Sequence, residues 1–382
     1  MDTEKKKPDL LDYRQQIDVI DKGLTKLLME RLAVVENIAD FKIENNKQVL
    51  DAEREAQKLT DLQASVETTF EKEALRELFS QIMAISRKRQ YRILEEKGTK
   101  YHQAFIEVDA LRVESGRIVY QGTEGSYSEM AMHSYFGKDI DAFAVNTFED
   151  AMRIIEEGSA DYAVLPIENS TAGFVSENYD LLSRFENYIV GDVVLPIKHA
   201  LMAVEGATLS DIRKVYAHPQ AFMQTERFLN KHPEWDLISM KNNAYGARKV
   251  AAEKDITLAA IAGEGAAERY GLDILEREIN QDAKNSTRFI IVTNRKIFLK
   301  DAKIISLCME ATHESGSLYR LLSHIIYNGL NMTKIESRPI EERNFEYRFF
   351  IDFEGNLNDP AVRNALRGMR EEARSLKILG NY

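Results

Sequence analysis

Between residues 10 and 45 the large apolar side chains recur at helical spacing: Ile17, Ile20, Leu24, Leu27, Leu28, Val35, Ile38 and Phe41, with no proline in the run. Positions three and four apart share one helix face, so the pattern predicts a single long helix with one apolar stripe. Such a helix cannot bury its stripe alone, and a bundle is implied. Residues 46–49 (Asn-Lys-Gln-Val) read as a break. Asp51 then starts a second helix, and residues 71–97 form a third. The first hundred residues are therefore read as all-helical.

From Gly116 the period changes. The runs RIVYQG, AFAVNTF, DYAVLPIE, KVYAHPQ, TLAAIAG and TRFIIVTN alternate with helical stretches, which predicts α/β layering on a largely parallel sheet. The extended stretch 188–204 is placed to carry the chain between two lobes and leave a cleft. From about residue 304 the order strand, helix, strand, strand, helix, strand predicts a ferredoxin-like βαββαβ unit. The expected division is a helical segment at 1–97, a linker at 98–115, an α/β segment at 116–295 and a C-terminal unit at 303–382.

Composition narrows the field. The 382 residues suffice for two or three domains, and 44% hydrophobic residues argue against large-scale disorder. A net charge of −11 disfavours a nucleic-acid partner. Cys308 is the only cysteine, so no intrachain disulfide framework exists. The start, MDTEKKKPDLLDY, lacks the apolar core of a secretory signal, and no apolar run is long enough to span a membrane. A cytoplasmic protein with no membrane partner is the expectation.

Chemistry concentrates first in the helices. Arg31 and Lys42 lie eleven positions apart, which returns to nearly the same helix face about 16 Å along the axis. Two long cations leaning inward can converge on one small dianion. Asp51, Arg54 and Glu55 share a face of the second helix, and Ser86 and Gln90 share one of the third. This collection suits a hydroxylated dicarboxylate. Over roughly residues 8–95 it resembles the all-helical chorismate mutase family, with Arg14, Arg31, Lys42, Asp51, Arg54, Glu55, Ser86 and Gln90 matching that family's active-site positions in order. The resemblance implies rearrangement of chorismate to prephenate without nucleophile, metal or cofactor. It implies that Arg31 and a partner's Arg14 hold carboxylates, Lys42 and Gln90 address the ether oxygen, and Glu55 the ring hydroxyl. Arg14 precedes Arg31 by about 25 Å of helix. It cannot share a small ligand with Lys42 of its own chain, so a dimer is expected.

Four further blocks follow: YQGTEGSYSE (120–129), DYAVLPIENSTAGF (161–174), VYAHPQAF (215–222) and NSTRF (285–289). Each sets hydroxyl or amide residues at a strand end or helix start, where an anion can sit. In this order they resemble the prephenate dehydratase family. The resemblance implies a two-lobed α/β domain of periplasmic-binding-protein-like form, an essential Thr287, and substrate binding by Glu168, Asn169, Ser170, Thr171, Gln220, Arg288 and Phe289. Arg288 is the expected charge of the site. Thr123 and Ser126-Tyr127 depart from the commoner form of the first block, which puts loop rigidity in question. Gly263-Glu264-Gly265 after a strand suggests a dinucleotide loop, but Glu268 stands where the third glycine belongs. That disfavours a mutase joined to a nicotinamide-dependent dehydrogenase.

In the C-terminal unit Gly316-Ser317-Leu318 opens a helix and Glu336-Ser337-Arg338-Pro339 ends a strand. Both resemble the phenylalanine-sensing motifs of the ACT domain, with Ser315 and Ser317 replacing the usual proline and alanine. The chain as a whole thus resembles bifunctional chorismate mutase/prephenate dehydratases, which implies conversion of chorismate through prephenate to phenylpyruvate. Feedback inhibition by L-phenylalanine, a homodimer or homotetramer, and no cofactor are implied with it. The alternative is a mutase fused to a non-catalytic prephenate- or amino-acid-binding module.

Overall fold

The computed structural model describes residues 9–97, 104–113, 116–340 and 343–382. Three helices come first: α1 (Leu10–Glu44), α2 (Ala52–Ala64) and α3 (Thr69–Glu96). Asp9 with Asp12, and Thr68 with Glu71, form capping boxes that satisfy the free N–H groups at the starts of α1 and α3. Asp51 is the N-cap of α2, its carboxylate accepting from the Arg54 N–H at 3.1 Å. Only the second half of α1 is packed, with Val35 and Ala39 buried. Along its first half Leu24 and Leu27 remain 56% and 63% exposed. No helix among the described residues is long and apolar enough to cross a membrane.

Part of the expected linker, 98–103 and 114–115, lies outside the described residues. Its middle carries β1 (Ile106–Val108). The first lobe is then β2 (Arg117–Gln121), α4 (Tyr127–Phe136), β3 (Asp141–Val145), α5 (Phe148–Glu156), β4 (Tyr162–Asn169), β5 (Gly173–Phe174), α6 (Ser176–Arg184) and β6 (Tyr188–Pro196). The second lobe is β7 (His199–Ala203), β8 (Lys214–Ala217), α7 (Pro219–Gln224), α8 (Glu226–Leu229), β9 (Asp236–Ser239), α9 (Asn243–Glu253), β10 (Leu258–Gly263), α10 (Glu264–Tyr270) and β11 (Asp273–Glu276). The chain returns through β12 (Ser286–Thr293) and β13 (Ile297–Leu299), the latter parallel to β1. As the sequence suggests, the 188–204 stretch crosses between lobes: β6 belongs to one sheet and β7 to the other.

The sheets are mixed rather than largely parallel. Helical crossovers keep β2, β3 and β4 parallel in one lobe and β8, β9 and β10 parallel in the other. The crossing strands reverse direction, so β12 runs antiparallel to both β4 and β6. The apolar runs look alike in either orientation, which is why periodicity did not separate them.

The last six elements are β14 (Ile304–Glu310), α11 (Ser317–Tyr327), β15 (Met332–Ile340), β16 (Arg343–Glu354), α12 (Pro360–Glu372) and β17 (Ser375–Asn381), a βαββαβ unit with strand order β15-β16-β14-β17. Its sheet joins the first lobe's through a parallel bridge between Gly380 and Ile189. A Cβ at position 380 would stand 2.0 Å from the Ile189 carbonyl oxygen, so only glycine permits that seam.

Candidate active sites

The cleft between the two lobes holds a cavity of about 290 Å3. Thr287 and Phe289 of β12 line it, with Asn169 and Gln220. It also meets the starts of five helices: Ser126 before α4, Val175 before α6, His218 before α7, Asn242 before α9 and Gly263 before α10. Among the described residues no Lys or Arg lines it. Converging N-termini supply free N–H donors and positive dipole ends, so the cavity favours an anion without a cationic side chain. The lobes touch closely here. A Cβ on Gly263 would meet the Tyr127 ring at 2.9 Å, and Gly125, at φ +78°, would meet the Ala266 backbone at 2.9 Å.

Thr287 is 8% exposed, and the amide of Asn169 sets what its hydroxyl can do. Asn169 Oδ1 accepts from the backbone N–H groups of Thr171 and Ala172, at 3.0 and 2.8 Å. This fixes the flip of the amide, and Nδ2 then donates to Thr287 Oγ1 at 2.9 Å. With its oxygen engaged as an acceptor, the Thr287 hydroxyl proton is free to point into the cavity.

Behind Asn169 the network continues. Gln224 Nε2 donates to Thr171 Oγ1 at 2.8 Å, which leaves Gln224 Oε1 to accept from His199 Nε2 at 2.9 Å. His199 Nδ1 must then accept, and the Tyr127 hydroxyl lies 2.9 Å away. The hydrogen-bond pattern thus assigns a neutral ring protonated at Nε2. Burial favours that form: it pushes the His199 pKa down against the opposing pull of Gln224.

The expected residues separate by strand alternation. Thr287 and Asn169 are cross-strand neighbours, as are Arg288 and Glu168 one step along, and successive side chains face opposite sides of a sheet. Arg288, expected as the charge of the site, does not line the cavity. Its Nε donates to Asp192 at 2.7 Å and its guanidinium lies over the Tyr382 ring. Glu168 pairs with Lys334 of β15 at 3.2 Å. Both therefore face the C-terminal unit. Ser170 braces the loop, its hydroxyl accepting from the Ser286 N–H at 3.0 Å. Thr171 joins the site through Gln224. The sequence reading missed Tyr127, His199 and Gln224. The only local sign was Gln224, one helical turn after Gln220; the other two come into place through lobe closure.

In the helical bundle an Arg31 guanidinium donates to the Ser86 hydroxyl. The Lys42 amine donates to the Val49 carbonyl, and Glu55 is paired with Arg87. Burial lowers the Lys42 pKa, opposed by the charges of Asp51 and Glu55. Gln90 is buried, and its Oε1 has no partner among the described residues. Arg54 and Asp51 are exposed at the start of α2. Arg14 is also exposed, on the unpacked half of α1.

In the C-terminal unit Ser317 and Leu318 line a second cavity of about 310 Å3, next to Gly316. Glu336, Ser337, Arg338 and Pro339 do not line it. They lie on β15 at the sheet edge, where Arg338 pairs with Asp180 of α6 at 2.7 Å.

A helical bundle gathering cations and carboxylates, followed by a two-lobed cleft that presents helix N-termini, defines a multidomain enzyme acting on small carboxylates. Two family models match: chorismate mutase type II over residues 13–91 and prephenate dehydratase over residues 118–297. A bifunctional chorismate mutase/prephenate dehydratase of Enterobacter agglomerans is 33% identical over 380 residues, covering 98% of this chain and 95% of the relative. Among solved structures, a prephenate dehydratase from Arthrobacter aurescens in complex with L-Phe is 27% identical with TM-score 0.65, covering 70% of this chain and 89% of that one. A quorum-quenching acylase, GqqA, is 29% identical with TM-score 0.64, covering 70% and 97%. The chain belongs to the family of bifunctional chorismate mutase/prephenate dehydratases.

Proposed function

We propose that residues 1–97 rearrange chorismate to prephenate and that the cleft within 116–295 converts prephenate to phenylpyruvate. The C-terminal unit at 303–382 is then an ACT domain that takes L-phenylalanine as effector, and the enzyme acts in the cytoplasm. The observation that carries the dehydratase reading is the Thr287 hydroxyl. Its oxygen accepts from Asn169 while its proton remains available to a cavity ringed by helix N-termini.

Dehydration of prephenate breaks the C–O bond to the ring hydroxyl and the exocyclic C–C bond that joins the ring to its carboxylate. The electron pair of that C–C bond enters and aromatises the ring, carbon dioxide leaves, and the hydroxyl departs. Thr287 donates a hydrogen bond to that departing oxygen and stabilises the negative charge it develops as the C–O bond breaks. The helix N-termini hold the carboxylates, and Phe289 with Pro166 supplies an apolar wall for the ring. Asn169, Thr171, Gln224 and His199 keep the Thr287 hydroxyl in its donating orientation.

In the bundle Arg31 faces a substrate carboxylate, Lys42 and Gln90 face the ether oxygen, Glu55 takes the ring hydroxyl, and Ser86 completes the wall. The step is pericyclic, so holding the reactive conformer and stabilising charge on the ether oxygen suffice. Arg14 reaches the site of a second copy. The exposed stripe on the first half of α1 supports this, since burying a Leu or Ile is worth about 1.5–3 kcal/mol each. An effector site that uses both Ser317-Leu318 and Glu336–Pro339 also requires a second copy, because the two motifs do not share a cavity in one chain. A Thr287→Ala variant tests the division of labour. It should consume chorismate normally and accumulate prephenate without phenylpyruvate.

A further inference from the structure

The residues assigned to the mutase are tied to the C-terminal unit as well as to the helical bundle. Arg87 lies on α3 between the face bearing Ser86 and Gln90 and the face packed against the C-terminal unit. One of its terminal nitrogens is paired with Glu55, and the other donates to Glu372 of α12 at 2.6 Å. The Arg87 side chain is 5% exposed and that of Glu372 10%. His324 of α11, 2% exposed, holds the same Glu372 oxygen through Nε2 at 3.2 Å. Its ring is seated against α12 where residue 368 is glycine; a Cβ there would stand 2.3 Å from the imidazole. Four side chains from four helices therefore form a continuous series: His324, Glu372, Arg87, Glu55.

The neighbouring residue makes a second contact with the same pocket. Glu371 accepts the Leu50 N–H at 3.1 Å and the Tyr91 hydroxyl. Leu50 lies between Val49, whose carbonyl takes the Lys42 amine, and Asp51, which caps α2. Glu371 and Arg87 both act on the charge of Lys42. Away from the pocket, Glu95 with Arg363 at 2.7 Å and Lys88 with Ser323 at 3.2 Å fasten the same two surfaces.

We propose that Glu372, acting through Arg87, is a positioning residue for Glu55, so that docking of the C-terminal unit completes the chorismate site. This rests on the mutase reading of Glu55 given above. Glu55 is only partly buried, and a carboxylate held by one prong of a guanidinium whose other prong is anchored has one orientation. Without Glu372 the guanidinium would be a buried cation with a single partner, free to draw the whole Glu55 carboxylate onto itself and away from substrate.

The test uses the full chain. Glu372→Gln preserves shape and removes the charge. Its KM for chorismate should rise at least tenfold with a smaller change in kcat, because Glu55 contacts substrate before and during the reaction. Dehydratase turnover from supplied prephenate should stay within twofold. In a Glu55→Gln background the same Glu372→Gln change should add nothing, since both act on one contact. If Glu372→Gln fails to fold, Arg87→Lys, which keeps the charge but loses the two-pronged fork, should raise KM in the same way. An unchanged chorismate KM in these variants overturns the inference, as does a penalty that persists in the Glu55→Gln background. An unsubstituted chain that does not consume chorismate overturns the mutase reading itself.

Discussion

Asn169 Nδ2 donates to Thr287 Oγ1 at 2.9 Å across the β4–β12 pair. The direction of that bond is fixed from the far end of the amide, where Oδ1 already accepts two backbone N–H groups. Asn169→Asp should therefore reverse the interaction. The carboxylate can only accept, so it would take the Thr287 proton and leave none for substrate. Dehydratase kcat should fall by about 10²–10³-fold, the scale of losing one oriented donor at a reacting centre. Mutase turnover in the same chain should be unchanged. Steady-state assays from chorismate and from prephenate check both halves.

Thr287 itself separates hydroxyl from shape. Thr287→Val keeps the volume in β12 but places an apolar group beside the Asn169 amide. Thr287→Ser keeps the hydroxyl. The Val variant should lose phenylpyruvate formation by at least about 100-fold, while the Ser variant retains a measurable fraction. Equal loss in both would mean that the methyl group, not the proton, is what the site requires.

His199 should give the dehydratase an acid limb. Burial lowers its pKa from the ordinary 6.5, so the folded protein favours the neutral ring. Protonation at Nδ1 removes the acceptor that faces Tyr127. Because the folded pKa lies below the unfolded one, nothing is lost above pH 6.5; stability falls as pH drops below that value toward the lowered pKa. The pH–rate profile from prephenate should decline on the acid side, and His199→Gln should flatten it. The mutase, which carries the amide of Gln90 where a carboxylate would need its proton, should show no such decline between about pH 6 and 8.

The Glu372 carboxyl carries a separate pH signature. Burial opposes its charge, yet hydrogen bonding to His324 and the nearby Arg87 hold it at about 2 against an ordinary 4.5. Its contribution is present above the unfolded value and is lost as pH falls from about 4.5 toward 2. The stabilisation is on the order of 3 kcal/mol. Urea midpoints measured against pH should show a gap between the unsubstituted chain and Glu372→Gln at neutral pH. The gap should close in acid.

Much of this was legible in the chain. The stripe from Ile17 to Phe41 gave the long helix, and its bare first half is the part that a lone helix could not bury. The C-terminal strand and helix order was readable because each run is short, apolar and bounded by turns. Thr287 was singled out by its motif, and it lines the cleft. Arg288 was misplaced although strand alternation alone could have corrected it: if Thr287 faces the cleft, its neighbour faces away. His199, Gln224 and Glu372 were not legible for a different reason. Each meets its partner across tens to hundreds of residues, through lobe closure or domain docking, and no local period encodes such a meeting. The seam at Gly380 and Ile189 belongs to the same class.

Arg14 offers a test by mixing. Alone, Arg14→Ala and Glu55→Ala chains should each be poor mutases. If Arg14 completes the site of a second copy, co-refolded mixtures form some dimers with one intact site, and activity should return to about a quarter of normal or less. No recovery would place Arg14 outside the shared site.

The most direct measurement incubates the purified full chain with chorismate alone and follows the products over time, with and without added NAD. The predicted result is transient prephenate followed by phenylpyruvate, unaffected by NAD, with Thr287→Val stopping the sequence at prephenate. Accumulation of prephenate by the unsubstituted chain, or hydroxyphenylpyruvate appearing only with NAD, would contradict the account.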